Sequence, residues 1–93
     1  MSDYRIFESK EFRKQLEKID ISFKQFIQKK LTEFVYPQLR INPIFGNNIK
    51  ILKGYKPKTW RVRIGKFMVF YSINFDKMIV NILTIDHRKD AYR

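Results

Sequence analysis

The chain has 93 residues, of which 20 are Lys or Arg and nine are Asp or Glu, so its formal net charge is +11. This length suits one domain that spans residues 1–93. Because the chain has no cysteine, disulfide bonds and thiolate metal sites are excluded. No apolar run is long enough to cross a membrane, and residues 1–12 lack the apolar core of a signal peptide. The sequence therefore predicts a soluble, cytoplasmic protein.

The basic excess is concentrated in the second half of the chain. Residues 1–46 carry nine basic and six acidic side chains, whereas residues 47–93 carry eleven basic and three acidic ones. An excess of this size favours a polyanionic partner. The alternative is a basic protein whose charge only keeps it in solution.

The first residues predict a short strand followed by a helix. The segment DYRIF at 3–7 is typical of a strand, and Ser9 is suited to cap the N-terminus of the helix. Apolar residues then follow at the spacing of one helix face. These residues are Phe12, Leu16 and Ile19.

A second helix begins at Asp20 or at Ser22, and Ser22 with Gln25 fits a capping box. Pro37 either ends or kinks this helix. Its apolar residues form a broad stripe, so the first half of the chain predicts a helical hairpin with one shared apolar face. The stripe comprises Phe23, Phe26, Ile27, Leu31, Phe34 and Val35.

After Gly46 the pattern changes to short strands separated by turns. The segment IKIL at 49–52 is a candidate strand, and three more are predicted at 59–64, 67–75 and 78–85. Helices followed by an antiparallel meander, one face of which they cover, indicate the α+β class.

The dipeptide Gly65-Lys66 predicts a type II′ turn, which fixes the register of the two strands around it. Ile64 then lies opposite Phe67, and the pairing continues outwards to Trp60 and Tyr71. Because side chains alternate, one face packs on the helices and carries Trp60, Val62, Ile64, Phe67, Val69 and Tyr71. The other face carries Arg61, Arg63, Met68 and Phe70.

Arg61 and Arg63 stand two residues apart on one strand, which separates them by roughly 7 Å. This spacing suits neighbouring phosphates. Other chemistry has little support, because one histidine and scattered carboxylates give no metal-ligand cluster and no phosphate-binding loop motif is present. What remains is a set of cations with one phenol: Lys53, Arg61, Arg63, Lys66, Arg88 and Tyr92.

Such a set is suited to cleaving RNA without a metal, since fixed guanidinium groups stabilise the charge that develops on the phosphoryl oxygens. A general base must also take the proton of the 2′-hydroxyl. Tyr92 is a candidate for this general base if neighbouring cations lower its pKa. His87 is the other candidate. The competing interpretations are a structural His87 at the end of a strand, an ordinary tail residue at Tyr92, and arginines that only bind phosphate or pair with an acidic partner.

Three segments resemble one known family: LKGY at 52–55, WRVRIGKFMVFYSI at 60–73 and IDHRKDAYR at 85–93. Together they are similar to the RelE/ParE toxins of bacterial and archaeal toxin–antitoxin modules. The resemblance implies a helical hairpin packed on one face of a four-stranded, mainly antiparallel sheet. It also implies an antitoxin that wraps the protein, with a toxin–antitoxin hetero-oligomer as one form of that complex, and no membrane, metal or cofactor.

In the RelE-like branch, the resemblance implies a toxin that enters the ribosome and cleaves mRNA, which blocks translation. The basic strand pair of that branch corresponds to Arg61 and Arg63, its late cation to Arg88, and its C-terminal tyrosine to Tyr92. These four are the expected catalytic residues. Further RNA contacts are expected from Lys53, Lys66, His87 and Lys89.

Met68 departs from the family pattern, because an arginine is common at this position. Three accounts follow: Lys66 or Lys53 supplies the missing charge; the protein is a catalytically weak RNA-binding relative; or it belongs with the ParE-like toxins, which inhibit DNA gyrase and lack the nuclease residues. Retention of Arg61, Arg63, Arg88 and Tyr92 favours an endoribonuclease.

Overall fold

The computed structural model describes residues 3–87, so the predictions for Arg88, Lys89 and Tyr92 lie outside the described residues. Helices fill most of the first half of the chain and strands most of the second. In chain order the elements are β1 (Arg5–Glu8), α1 (Lys10–Glu17), α2 (Ile21–Lys30), a π-helical segment (Leu31–Val35), α3 (Tyr36–Ile41), β2 (Ile49–Leu52), β3 (Thr59–Ile64), β4 (Phe67–Asn74) and β5 (Ile79–His87).

The strands form one sheet in the order β1-β5-β4-β3-β2. β1 runs parallel to β5, and the other neighbouring pairs are antiparallel. The predicted α+β class is confirmed, with five strands where the resemblance implied four. The fifth is the edge strand β1, which corresponds to the strand predicted at 3–7. A parallel pair needs a connection of about a dozen residues or more, which the whole chain between β1 and β5 supplies.

Ser9 caps α1, as predicted. Its side-chain oxygen accepts a hydrogen bond from the backbone N–H of Phe12 at 3.0 Å, which satisfies one of the free donors at the helix start. The same hydroxyl donates to the backbone carbonyl of Leu83 at 2.7 Å. One side chain therefore both starts α1 and attaches it to β5.

The second helix begins after Asp20, the first of the two predicted starts, and it continues past Pro37. Pro37 has no N–H and its ring would clash with the carbonyl four residues earlier in an α-helix. The turn before it is π-helical, with the N–H of Tyr36 donating to the carbonyl of Leu31, five residues back. This wider turn accommodates the proline, so the helical path continues to Ile41 as α3.

The core lies between the helices and one face of the sheet. All six strand residues predicted for this face are buried. The core residues are Phe12, Leu16, Ile27, Leu31, Tyr36, Leu39, Trp60, Val62, Ile64, Phe67, Val69, Tyr71, Val80, Ile82 and Ile85.

The apolar stripe of the second helix is wider than the surface that the core uses. Ile27 and Leu31 are buried, whereas Phe23, Phe26 and Phe34 are 46%, 43% and 59% exposed. A helix buries only one side against a sheet, and the π-helical turn shifts the residues that follow Leu31 around the helix axis. Half of the predicted stripe therefore faces outwards.

The β3–β4 hairpin has the predicted register, from Ile64 opposite Phe67 to Trp60 opposite Tyr71. Gly65 has a positive φ of 58° at the first turn position, which is the requirement of a type II′ turn. Along β4 and β5 the pairing shifts between Phe70 and Tyr71. This irregularity leaves Leu83 as an extra residue of β5, which is a β-bulge.

Candidate nucleic-acid interface

Arg61 and Arg63 lie on the face of the sheet that points away from the helices. Each alternates along β3 with the buried residues Trp60, Val62 and Ile64, so the predicted placement is confirmed. Both arginines are half-buried. The pleat of β3 therefore holds two guanidinium groups on one side of the sheet.

Lys50 is a third cation on this side, and the sequence did not single it out. It is the register partner of Arg61 in the antiparallel β2–β3 pair, so both side chains point to the same face. In the sequence Lys50 is recognisable only as the polar residue within IKIL. The pairing of β2 with β3 is what places it beside Arg61. We call Lys50, Arg61 and Arg63 the cationic face.

A cavity of about 260 Å³ opens beside the cationic face. Its lining holds amides and cations but no carboxylate or imidazole: Asn47, Asn48, Ile49, Lys50, Arg61 and Arg63. The loop that contributes the two asparagines is fixed to β3, because the N–H of Arg63 donates to the carbonyl of Asn48 at 3.0 Å. Side-chain amides and cations are groups that hydrogen-bond phosphate oxygens.

No carboxylate within residues 3–87 forms an ion pair with the cationic face. The ion pairs of this part of the chain join Arg13 to Glu8 and Lys24 to Glu17. Positive charge at Arg61, Arg63 and Lys50 is therefore not neutralised by a described side chain. Three neighbouring cations in this state attract anions strongly and repel one another.

Met68 lies opposite Arg63, as predicted, but it is only 2% exposed. It is not part of the core that packs between the sheet and the helices. A buried thioether on the outer face does not contribute a contact surface to an anion. Met68 is therefore a buried neighbour of the cationic face and does not separate its three cations.

One account of Met68 was that Lys66 or Lys53 supplies the missing charge. Both lysines lie at the ends of strands. Lys53 follows the last residue of β2, and Lys66 is the second residue of the β3–β4 turn. Both are exposed. Lys50, inside β2, is the lysine that the sheet itself aligns with Arg61.

His87 ends β5 and lies opposite Phe67 on β4. Their rings meet edge to face with centroids 5.2 Å apart. Because Phe67 belongs to the core, this register places His87 on the helix-covered side of the sheet. The histidine and the two arginines therefore lie on opposite faces.

Two tyrosines outside the cationic face have raised pKa values. Burial raises the pKa of Tyr71, whose hydroxyl donates to the carbonyl of Pro43 at 2.7 Å. Burial also raises the pKa of Tyr36, and the carboxylate of Glu8, which accepts a hydrogen bond from the Tyr36 hydroxyl at 2.6 Å, adds to the effect. Both phenols stay neutral and serve the packing of the fold.

The part of the chain that the structure describes contains no group of three or more His, Cys, Asp or Glu side chains able to hold a metal ion. Nor does any helix between residues 3 and 87 have the length and apolar character needed to span a membrane.

Comparison with known proteins agrees with the fold. A family model described as the ParE toxin of the type II toxin–antitoxin system parDE matches residues 6–92. A curated protein of Methanocaldococcus jannaschii named "Putative toxin RelE1" is 42% identical over 67 residues, which cover 70% of this chain and 72% of that protein.

Two solved structures share the fold. The RelE protein in the RelE–RelB complex of Pyrococcus horikoshii is 22% identical, with a TM-score of 0.70 over 95% of this chain and 97% of that chain. The toxin–antitoxin complex RelBE2 of Mycobacterium tuberculosis gives 25% identity and a TM-score of 0.71 over 95% and 94% of the two chains. The chain belongs to the RelE/ParE superfamily of toxins from type II toxin–antitoxin systems.

Proposed function

We propose that this toxin cleaves mRNA on the ribosome without a metal ion and thereby blocks translation. The observation that carries the proposal is the cationic face, where Lys50, Arg61 and Arg63 surround a polar cavity. A phosphodiester is the group that such a constellation suits, since guanidinium groups bind phosphate oxygens through paired hydrogen bonds.

In the proposed reaction the 2′-oxygen of the RNA attacks the adjacent phosphorus and the 5′-oxygen leaves. Negative charge grows on the two non-bridging oxygens as the new bond forms. Arg61 and Arg63 stabilise that charge from fixed positions on β3, and this electrostatic effect is usually the largest part of catalysis. Lys50 adds a third positive charge beside Arg61.

We call the cavity of about 260 Å³ beside the cationic face the cationic cavity. Proton transfer requires other groups, because the lining of this cavity contains no carboxylate or imidazole. We assign this part of the reaction to the C-terminal residues that match the family. Arg88 assists the leaving oxygen, and Tyr92 exchanges a proton or stacks on a base. Lys53, Lys66 and Lys89 hold neighbouring phosphates. His87, which ends β5 on the face of the sheet opposite the arginines, makes a peripheral contact with the RNA.

We also propose that a cognate antitoxin neutralises the protein. The related structures support this, since those from Pyrococcus horikoshii and Mycobacterium tuberculosis are complexes of a toxin with its antitoxin. A net charge of +11 favours an acidic partner segment. In the cytoplasm such a partner competes with RNA for the same cations.

Inhibition of DNA gyrase is the second candidate function. Two observations favour it: the matching family model is that of the ParE toxin, and Met68 is neutral where the nuclease branch commonly has a cation. A gyrase inhibitor uses the basic surface for binding alone, so it needs no group for proton transfer.

Primer extension on mRNA from translating ribosomes separates the two functions. We expect wild-type protein to produce cuts within codons, Arg61→Ala with Arg63→Ala to produce none, and supercoiling by purified gyrase to continue undisturbed. Arrested supercoiling with intact mRNA would instead establish the second function. Intact mRNA, normal translation and normal supercoiling would contradict both.

A further inference from the structure

A second cavity, of about 290 Å³, adjoins the cationic cavity on the helix side of β3. Asn48 and Arg63 line both cavities, so the two share a wall. The second cavity differs in character, because it adds an aromatic ring and a side-chain amide from the helical half of the chain. Its lining includes Lys30, Phe34, Gln38, Asn48, Arg63 and Gly65, beside apolar residues of the helical segment and of β3.

Phe34 is 59% exposed although its sequence neighbours Leu31 and Val35 pack towards the core. The cause is the π-helical turn Leu31–Val35, which rotates Phe34 away from the core side. Single π turns are frequent at functional sites because they reposition a side chain. Here the repositioned side chain is a flat ring that lines a cavity together with Arg63.

Polar groups surround this ring. The Nζ atom of Lys30 lies 4.9 Å from the centroid of the Phe34 ring, which is a cation–π contact with a ring that is 59% exposed. Gln38 donates one N–H to the carbonyl of Phe45 at 2.7 Å, which holds its amide in place and leaves its oxygen as an acceptor. Asn48 contributes a second amide to the lining.

We propose that this second cavity binds one nucleobase of a single-stranded RNA whose phosphate lies on the cationic face. Phe34 supplies the stacking surface, Gln38 and Asn48 meet the polar edge of the base, and Arg63 connects base site and phosphate site. The assignment rests on the proposed function, since it takes RNA as the ligand. Stacking on an aromatic ring combined with backbone-tracking cations is the general mode of single-strand recognition.

The geometry also explains why the ligand is a base and not a larger group. A cavity near the lower limit of roughly 300 Å³ for small-molecule sites accommodates a single planar ring system. Gly65 forms part of the wall. The adjoining cavity is the place for the charged phosphate, because it carries Lys50 and Arg61.

Binding of two matched oligonucleotides tests the proposal. The first probe is a short 2′-O-methyl RNA, which lacks the attacking hydroxyl; the second has the same backbone with abasic sugars at its internal positions. We expect wild-type protein to bind the first more tightly, and Phe34→Leu to weaken that binding about 5-fold or more, since base–aromatic stacking is lost. Affinity for the abasic probe stays unchanged in this variant.

Phe7→Leu is the matched control. Phe7 is 63% exposed, close to the value for Phe34, but it lies on β1 at the opposite edge of the sheet from β2. It should leave the affinity for both probes unchanged, whereas Arg63→Ala should weaken both. Equal losses for the two probes in Phe34→Leu would overturn the base site and assign the ring a structural role.

Unchanged binding of the base-bearing probe in Phe34→Leu would also overturn the proposal, and the exposed ring would then belong to a protein interface. If wild-type protein binds neither probe, the base site is overturned, whereas the proposed function is tested separately by the cuts that primer extension detects on translating ribosomes. Equal affinity of the wild-type protein for both probes would contradict the base site alone and would remain consistent with the phosphate site.

Discussion

Met68 and Arg63 face each other across β3 and β4, yet Met68 is 2% exposed and Arg63 is half-buried. On its other side Met68 lies opposite Asp86 of β5, which is exposed. The position at which the family resemblance implies a cation is therefore buried in this protein and has a carboxylate as its neighbour. Charge on this face comes from β2 and β3 instead.

Met68→Arg should destabilise the fold by about 1–3 kcal/mol, because a longer, charged side chain must enter a filled position. Asp86 is the register partner of position 68 on β5. We therefore expect the new guanidinium to form an ion pair with Asp86 and to add little RNA affinity. Urea unfolding and RNA binding measure the two effects. Met68→Leu, which nearly conserves volume, is the control and should cost less than about 1.5 kcal/mol. Unchanged stability with tighter RNA binding would show that position 68 is accessible to the ligand.

Removing a cation from the cationic face should lower the salt dependence of RNA binding. Each lost phosphate contact reduces the slope of log affinity against log salt by about 0.7 on single strands. We expect this change for Lys50→Ala, which sequence analysis did not select, as well as for Arg61→Ala. Lys77→Ala removes an exposed cation from the β4–β5 turn and is the control. A slope for Lys50→Ala equal to that of the wild type would remove Lys50 from the interface.

Ser9→Ala should reduce stability by about 1–2 kcal/mol, the usual cost of losing a helix cap. The same change also leaves the carbonyl of Leu83 without its hydroxyl donor. Ser22→Ala is the matched control, because the Ser22 hydroxyl donates only to the exposed Asp20, and it should cost less than about 0.5 kcal/mol. Thermal unfolding of both variants gives the comparison. Equal losses would mean that the link between α1 and β5 contributes nothing beyond a surface hydroxyl.

Tyr71 predicts a loss of stability at alkaline pH. Its pKa is raised in the folded state, whereas an unfolded tyrosine ionises near pH 10. Above pH 10 the unfolded state therefore binds fewer protons than the folded state, and the free energy of unfolding falls as the pH rises. The slope attributable to one tyrosine is about 1.4 kcal/mol per pH unit.

Tyr71→Phe removes that part of the slope. The variant should cost about 1–3 kcal/mol near neutral pH, because the buried carbonyl of Pro43 loses its donor, and should lose less stability than wild type between pH 10 and 11. Tyr55→Phe changes an exposed tyrosine and should leave the pH profile unaltered. Denaturant unfolding at several pH values measures both. A profile of Tyr71→Phe parallel to that of wild type would contradict the assignment.

The sequence by itself determined the features that depend on neighbouring residues. Ser9 was identified as a cap because its hydroxyl oxygen and the backbone N–H that donates to it are three residues apart. The register of β3 and β4 followed from Gly65, since a two-residue turn leaves one pairing, and alternation then placed Arg61 and Arg63 on one face. The family resemblance could also be recognised from the sequence, because each of its motifs is a continuous segment of the chain. The comparisons with known proteins confirmed it.

Only the tertiary structure decided what depends on contacts between distant segments. Lys50 joins the cationic face because β2 pairs with β3, and β1 becomes a fifth strand because it reaches β5. Phe34 faces a cavity since the turn before Pro37 is π-helical, which the apolar pattern does not reveal. Burial of Met68 likewise depends on what surrounds it in space. Periodicity gives the direction of a side chain relative to its own element, and the packing of elements determines what that side chain meets.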